Sequence, residues 1–255
     1  MKLLNKKIAV VAILLGMIGF AFAPAADRIT VKGSDTMVIL AQKWAEVYMK
    51  SNPNAAIQVT GGGSGVGISA LINGATDIAN ASRKMKPTEK DKLKARYNTL
   101  GVEVACAKDG ITIYLHPSNK VKELSIKQLS EIFKGNIKNW KEVGGADADI
   151  KLYGRENSSG TYTFFQENVV KGDYASSCQT LPGTAAVVNA VKKDDNSPAY
   201  LATAETIKTG EYPITRYLYM YLKNRPTGAM KSYIDWILSS EGQKLVVEMG
   251  YFPVK

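Results

Sequence analysis

The chain has 255 residues, a length that suits two domains, and its formal net charge is +10. A basic balance favours an anionic partner, which could be nucleic acid, an anionic surface or a small anion. Because the chain has no dense block of lysine and arginine and begins like an exported protein, we exclude nucleic acid as a partner.

The first residues are typical of an export signal. Lys2, Lys6 and Lys7 precede an apolar run over 8–22, and small residues that suit cleavage follow it. We expect 1–26 to be removed and the mature protein to be periplasmic, and the loss of three lysines lowers the net charge from +10 to +7. No later stretch approaches the roughly 18 to 20 apolar residues that a membrane-spanning helix needs.

The first strand of the mature chain ends in a polar turn. Residues 28–31 read as a strand, and Ser34, Asp35 and Thr36 follow before an amphipathic helix that ends near 51–53. A second strand over 57–60 leads into a glycine-rich segment. In parallel α/β sheets such strand ends line the ligand crevice.

The glycine-rich segment 60–71 is the strongest local feature. Four glycines in five positions surround Ser64, and helical apolar spacing begins at Ile68. A helix start offers unpaired N–H groups that bind anions. The segment lacks the lysine of a nucleotide P-loop, and Val66 excludes the G-x-S-x-G pattern of hydrolases. A flexible surface turn is the alternative that remains open.

The same scheme returns twice further along the chain. A third strand within 77–83 ends in Ser82 and Arg83. Residues 150–153 read as a later strand, and the polar segment after it contains Arg155, whose planar fork of donors suits an oxyanion. The same segment ends in three residues that we expect to form a helix N-terminus: Ser159, Gly160 and Thr161.

The remaining elements complete an alternation of strands and helices. Because no period of roughly 20 to 50 residues recurs, we exclude repeat folds, and the alternation predicts an α/β protein. These elements are a strand at 110–115, a helix at 125–133 with Ser125 as its N-cap, a helix at 184–191, a strand at 213–222, and helices at 229–238 and 241–249.

The two cysteines and the single histidine do not indicate a catalytic site or a metal site. Cys106 and Cys178 either form a disulfide, which export would permit, or stay as free thiols, and both alternatives remain open. His116 precedes a proline, and we expect a structural or exposed role for it. A serine nucleophile at Ser64 or Ser159 would therefore lack a base, and we expect no enzyme, no cofactor and no zinc site.

Four segments together resemble the substrate-binding proteins of phosphate ABC transporters, in the type II periplasmic binding-protein superfamily. Their order and spacing carry the resemblance, since each is weak alone. The segments are 33–36, 62–67, 77–83 and 154–161.

The resemblance implies an α/β fold with two lobes, each a central sheet flanked by helices, joined by two crossover strands. Lobe 1 would comprise 27–112 and 216–255, and lobe 2 would comprise 113–215. Phosphate would be captured in the cleft between the lobes and delivered to a membrane permease with its ATPase, and we expect a monomer.

The resemblance also implies a set of ligand contacts. Three helix starts would contribute about +1.5 charges and Arg155 one more, which suits a dianion. The alternatives are another tetrahedral oxyanion (sulfate, molybdate or tungstate) or a serine-dependent phosphate-releasing enzyme. The predicted contacts are Ser34, Asp35, Thr36, Ser64, Ser82, Arg83, Arg155, Ser159, Gly160 and Thr161.

Two departures from the family pattern matter. Where the best-known branch has an aspartate that accepts the phosphate proton, this chain has Arg83. Arg83 could be a second cation that contacts the ligand, a partner in a salt bridge, or a gate residue that faces solvent. Asp35 or a main-chain carbonyl could accept the proton instead, and the alternative role of Asp35 is a helix N-cap. The second departure is at 196–200, where the family shows more glycine.

Overall fold

A computed structural model describes residues 27–193 and 212–254. The expected export signal at 1–26 and the sequence departure at 196–200 lie outside the described residues. Within the described residues, none of the helices combines the length and the apolar character needed to cross a membrane.

The first lobe is built on a five-stranded sheet in the order β2-β1-β3-β7-β4. Strand β1 pairs in parallel with β2 and β3, whereas β7 is antiparallel to both β3 and β4. The strands are β1 (Asp27–Gly33), β2 (Ala55–Thr60), β3 (Ile78–Ala81), β4 (Val102–Gly110) and β7 (Thr215–Leu222).

Helices cover both faces of this sheet. On one face Leu40 and Trp44 of the first helix belong to a core cluster with Ile78 and Leu218, and on the other Ile68 belongs to a second core cluster. Both clusters are buried, as the apolar spacing of these helices predicts. The helices are α1 (Val38–Ser51), α2 (Ser64–Asn73), α3 (Pro87–Tyr97), α7 (Gly228–Ile237) and α8 (Ser240–Glu248).

The second lobe has its own core around Ile132, Phe133 and Trp140. Its described sheet is a parallel pair of short strands, β5 and β6. Its elements are α4 (Ile126–Lys134), a 3-10 turn (Trp140–Val143), β5 (Tyr153–Arg155), α5 (Gly160–Phe165), a π turn (Gln166–Val170), β6 (Gln179–Leu181) and α6 (Gly183–Lys192).

The chain passes between the two cores along β4 and β7, which lie side by side. The lobe-2 cluster begins with Ile111 and ends with Ile214, although Phe252 near the end of the described chain also packs against it. We keep the division at 112/113 and 215/216 as a proposal.

The sequence misplaced some element bounds. The strand predicted at 110–115 is wrong, because the pairing with β7 runs over Val102–Gly110 and the β-branched residues after it leave the ladder. The strand predicted at 150–153 lies at Tyr153–Arg155. Helix α2 begins at Ser64, directly after the glycines as expected, and a Cβ at its Gly67 would lie 2.4 Å from the carbonyl oxygen of Lys32. This glycine thus permits close packing inside a helix.

Both cysteines are free thiols, which decides the alternative that the sequence left open. Cys106 is buried in the core of lobe 1, where its thiol donates to the carbonyl oxygen of Leu218 at 3.3 Å. Cys178 packs against the core of lobe 2, and burial raises its pKa to about 11. The two thiols thus belong to different cores.

Candidate functional site

Three predicted serines lie at one edge of the lobe-1 sheet. Strands β1, β2 and β3 run parallel, so their carboxyl ends meet at the same edge. Ser34, Ser64 and Ser82 follow these ends and are each at most 2% exposed. The N–H of Ser82 donates to Oγ of Ser64 at 3.0 Å, and the two hydroxyl oxygens are 3.3 Å apart.

The start of α5 in lobe 2 contacts these serines directly. A Cβ on Gly160 would lie 2.3 Å from Oγ of Ser64 and 2.5 Å from Oγ of Ser82, closer than real Cβ atoms approach such neighbours. Only glycine fits here without a shift. The hydroxyl groups of Ser64 and Ser82 in lobe 1 therefore pack directly against the start of α5 in lobe 2, and all three residues are buried.

Further hydrogen bonds close the lobes on each other. The N–H of Gly65 donates to the carbonyl oxygen of Ser158 at 2.9 Å, and the hydroxyls of Thr36 and Thr161 are 3.1 Å apart. Ser159 caps α5, because its Oγ accepts from the N–H of Thr161 at 3.1 Å and from the next N–H. Some helix-start donors are therefore already engaged within the protein.

Arg155 forms ion pairs with Asp35 and Glu156, and the one with Asp35 joins the two lobes. Its Nη2 donates to Oδ2 of Asp35 at 2.7 Å and to Oε1 of Glu156 at 3.0 Å, while Nη1 donates to the Thr184 hydroxyl at 3.0 Å. The other carboxylate oxygen of Asp35 accepts from the N–H of Gly62 at 2.8 Å. Asp35 thus links the glycine loop to the lobe-2 arginine.

The N-cap role considered for Asp35 is wrong. The 3-10 turn Asp35–Met37 has Ser34 at its N-cap position, and Asp35 is the first residue of the turn. The carboxylate instead forms an ion pair with Arg155 of the other lobe.

The side-chain charge around Arg155 differs from the single positive charge that the sequence analysis assigned to this site. One cation faces two carboxylates, those of Asp35 and Glu156. Burial disfavours the ionised form of Glu156, but hydrogen bonds from Arg155 and from backbone N–H groups outweigh it, and the pKa of Glu156 is lowered. An anion here would thus be attracted by N–H groups and hydroxyls more than by net side-chain charge.

Arg83 forms the salt bridge that was one of its predicted roles. Its Nη1 and Nη2 donate to the two carboxylate oxygens of Glu89 at 2.8 and 2.7 Å. Burial opposes ionisation of Glu89, yet the hydrogen bonds from Arg83 prevail and the pKa of Glu89 is lowered. Glu89 thus engages both terminal nitrogens of this guanidinium group, whereas Nε has no partner among the described residues.

Two residues that sequence reasoning missed join the site. Arg216 and Asp109 are a register pair on β7 and β4, bonded at 2.8 and 2.9 Å. Nη2 of Arg216 also donates to the hydroxyl of Thr161 at 3.0 Å. The available signal was a single arginine among the apolar and aromatic residues of the strand predicted at 213–222.

In the part of the chain that the structure describes, the hydroxyl groups of Ser64 and Ser159 make no hydrogen bond to a histidine or a carboxylate side chain. Oγ of Ser64 contacts Ser82, and Oγ of Ser159 accepts from backbone N–H groups. The ring of His116 contacts the hydroxyl of Ser118. Among the described residues, no group of three or more His, Cys, Asp or Glu side chains is placed to hold a metal ion.

Comparison with known proteins gives consistent matches. Residues 21–241 match the model of a family described as PBP superfamily domain. The phosphate-binding protein PstS of Pseudomonas aeruginosa is 31% identical over 263 positions, covering 87% of this chain and 81% of that protein. The phosphate-binding protein PstS of Bacillus subtilis (strain 168) is 34% identical over 250 positions, covering 90% and 82%.

Two solved structures extend the match to three dimensions. A Clostridium perfringens protein described as a phosphate ABC transporter substrate-binding protein, with bound phosphate, gives a TM-score of 0.82 at 30% identity and covers 89% of this chain and all of its own. An ABC-type phosphate transport receptor from Vibrio cholerae gives a TM-score of 0.73 at 27% identity, covering 89% and 99%.

Proposed function

We propose, from the premise that this chain belongs to the PBP superfamily and to its phosphate-binding protein branch, that it captures inorganic phosphate between its lobes for an ABC transporter. The observation that carries the proposal is the close contact of the buried Ser64 and Ser82 hydroxyl groups of one lobe with Gly160 of the other. The family consists of transport substrate-binding proteins, and we extend this to the absence of enzymatic activity in the chain.

The cellular setting is part of the proposal. The expected signal at 1–26 would be removed on export, and the mature protein would act in the periplasm as a monomer. It would deliver phosphate to a membrane permease and its ATPase as separate chains.

The geometry supports capture by lobe closure. A buried oxyanion is costly unless hydrogen-bond donors surround it, and here donors from both lobes converge. A ligand that touches both lobes stabilises the closed arrangement because it binds that state more tightly than the open one. Arg83, engaged with Glu89, is left out of the contacts we retain: Ser34, Asp35, Thr36, Ser64, Ser82, Arg155, Ser159, Gly160 and Thr161.

Calorimetry on the mature protein with phosphate, arsenate and sulfate tests this function. We expect phosphate and arsenate to bind and sulfate to bind much more weakly. Strong sulfate binding at neutral pH would contradict the phosphate assignment, and steady release of phosphate from esters would contradict the assignment as a binder.

Asp35 is the proposed acceptor of the phosphate proton. A carboxylate accepts a hydrogen bond from protonated phosphate and repels fully ionised sulfate, whereas an amide can donate to sulfate. Asp35→Asn should therefore lower the ratio of phosphate to sulfate affinity at least about tenfold, the scale of one hydrogen bond to a charged group. Calorimetry with both anions measures the ratio. The exposed Asp91→Asn is the control, and an unchanged ratio in Asp35→Asn would exclude this role.

The Arg216–Asp109 pair is proposed to hold the Thr161 hydroxyl for the ligand. Replacing a buried ion pair as a unit by apolar residues is often neutral for stability, so Arg216→Met with Asp109→Leu should fold. We expect phosphate affinity to fall about tenfold, because Thr161 loses the donor that orients it.

Calorimetry and a thermal melt of the double variant measure affinity and stability separately. The exposed pair Lys231→Met with Asp235→Leu is the matched control. Affinity equal to that of the control would show that the buried pair has no part in binding.

A further inference from the structure

Asn80 is a buried amide with no partner among the described residues. The residue is 3% exposed, and its carboxamide makes no hydrogen bond to them, with Oδ1 fully buried. Nε of Arg83 and Nη1 of Arg216 are also unpartnered there, but both guanidinium groups bind carboxylates through other nitrogens. Buried polar groups are nearly always hydrogen-bonded, so an amide without any bond calls for a reason.

Gln243 shows how this fold treats a buried amide that is structural. Its Nε2 donates to the carbonyl oxygens of Cys106 and Ile237, both at 3.0 Å, and its Oε1 accepts from the N–H of Val254 at 3.0 Å. Both the nitrogen and the oxygen of that carboxamide are therefore hydrogen-bonded. Asn80 has similar burial and the same chemistry without these bonds.

The position of Asn80 places it beside the proposed anion site. Its carbonyl oxygen accepts from the N–H of Ser34 at 2.9 Å, and in the sheet it lies between Gly33 and Met220. Ser82 follows two residues later, at the point where the serines meet Gly160. The backbone of Asn80 is therefore part of the same sheet edge.

The face on which the side chain lies follows from strand alternation. Ala79 and Ala81 belong to the cluster under α2, whereas Ile78 belongs to the cluster that contains Met37 of the 3-10 turn. Successive side chains of a strand point to opposite faces. Asn80 therefore shares the face of Ile78, on the side where the turn Asp35–Met37 and α1 pack.

We propose that the carboxamide of Asn80 is a direct contact of the bound phosphate, an inference that rests on the proposed function. An amide offers both an acceptor and a donor. With one phosphate proton taken by Asp35, Oδ1 of Asn80 accepts the second proton of the monoanion, and Nδ2 donates to the ionised oxygen of the dianion. Asn80 thus lets the site bind both forms that coexist near neutral pH.

The first test separates ligand binding from a structural role. Leucine matches asparagine in shape and has no polar group to leave unpaired, so Asn80→Leu should melt at the same or a higher temperature without ligand. Its phosphate affinity by calorimetry should fall at least about tenfold. Gln243→Leu is the matched control, with a lower melting temperature and an affinity within about threefold of the parent chain.

The second test uses pH. Asn80→Asp can only accept while it is ionised, so it should bind the phosphate monoanion and repel the dianion. Between about pH 6 and pH 8 its affinity should fall several-fold more than that of the parent chain, because the monoanion fraction falls over this range. A merely structural asparagine would not produce this added slope.

The outcomes distinguish this inference from the function it rests on. If the parent chain fails to bind phosphate, both are overturned. If the parent chain binds and Asn80→Leu binds within about twofold of it, only the role of Asn80 is overturned. The role of Asn80 is likewise overturned if Asn80→Asp shows the pH dependence of the parent chain.

Discussion

Replacing Arg155 with alanine is expected to weaken phosphate binding at least about 30-fold, equivalent to about 2 kcal/mol. The side chain is 6% exposed and holds Asp35 from one lobe and Glu156 from the other. Without it, two carboxylates remain near the cleft with no cation between them, and an approaching anion is repelled. The lobes also lose an ion pair that joins them.

Calorimetry on folded protein measures the loss. Arg155→Lys should recover only part of the affinity, because an ammonium group cannot reproduce the fork that reaches Asp35, Glu156 and Thr184 together. The exposed Arg96→Ala removes the same charge elsewhere and should bind like the parent chain. Full affinity in a folded Arg155→Ala protein would refute the role.

Gly160→Ala is expected to reduce phosphate affinity by about 5- to 150-fold, since overpacking of this kind typically costs about 1 to 3 kcal/mol. The added methyl group would lie within 2.5 Å of two buried hydroxyl oxygens, those of Ser64 and Ser82. Here the lobes can relieve the clash by staying apart, so the cost should fall on closure rather than on the fold of either lobe.

Two measurements together test this mechanism. Small-angle scattering with saturating phosphate should show a more open shape for Gly160→Ala than for the parent chain, and calorimetry should show the loss of affinity. Gly172→Ala is the control, since its methyl group would meet only the end of the Lys134 side chain at 3.3 Å. Unchanged affinity and an unchanged shape would contradict this mechanism, because Ser64 and Ser82 would then move aside at little cost in free energy.

The sequence predicted the parts of the site that depend on local pattern. Polar turns after strands, the helix after the glycine loop and the cap at Ser125 are encoded within a few residues, and the structure has them. The α/β fold class is confirmed by the match to solved phosphate-binding structures. The site residues named from the sequence remain predictions as ligand contacts.

The sequence could not predict what depends on distant partners. Arg83 binds Glu89 and Asp35 binds Arg155, and neither choice is visible from spacing alone. Arg216 meets Asp109 only because β7 pairs with β4, which lies far earlier in the chain. The error at 110–115 has the same origin, because the pairing with β7 rather than β-propensity decides where β4 ends.

The place of β7 in the sheet also bears on how the protein is made. This strand is the last of the described strands to be synthesised, yet it lies between β3 and β4 rather than at an edge. A nascent chain therefore lacks the strand that joins β4 to β3, β1 and β2 until the ribosome has passed Leu222. The sheet of the first lobe thus cannot be completed until most of the chain has been made, an order of events that would suit the export proposed above.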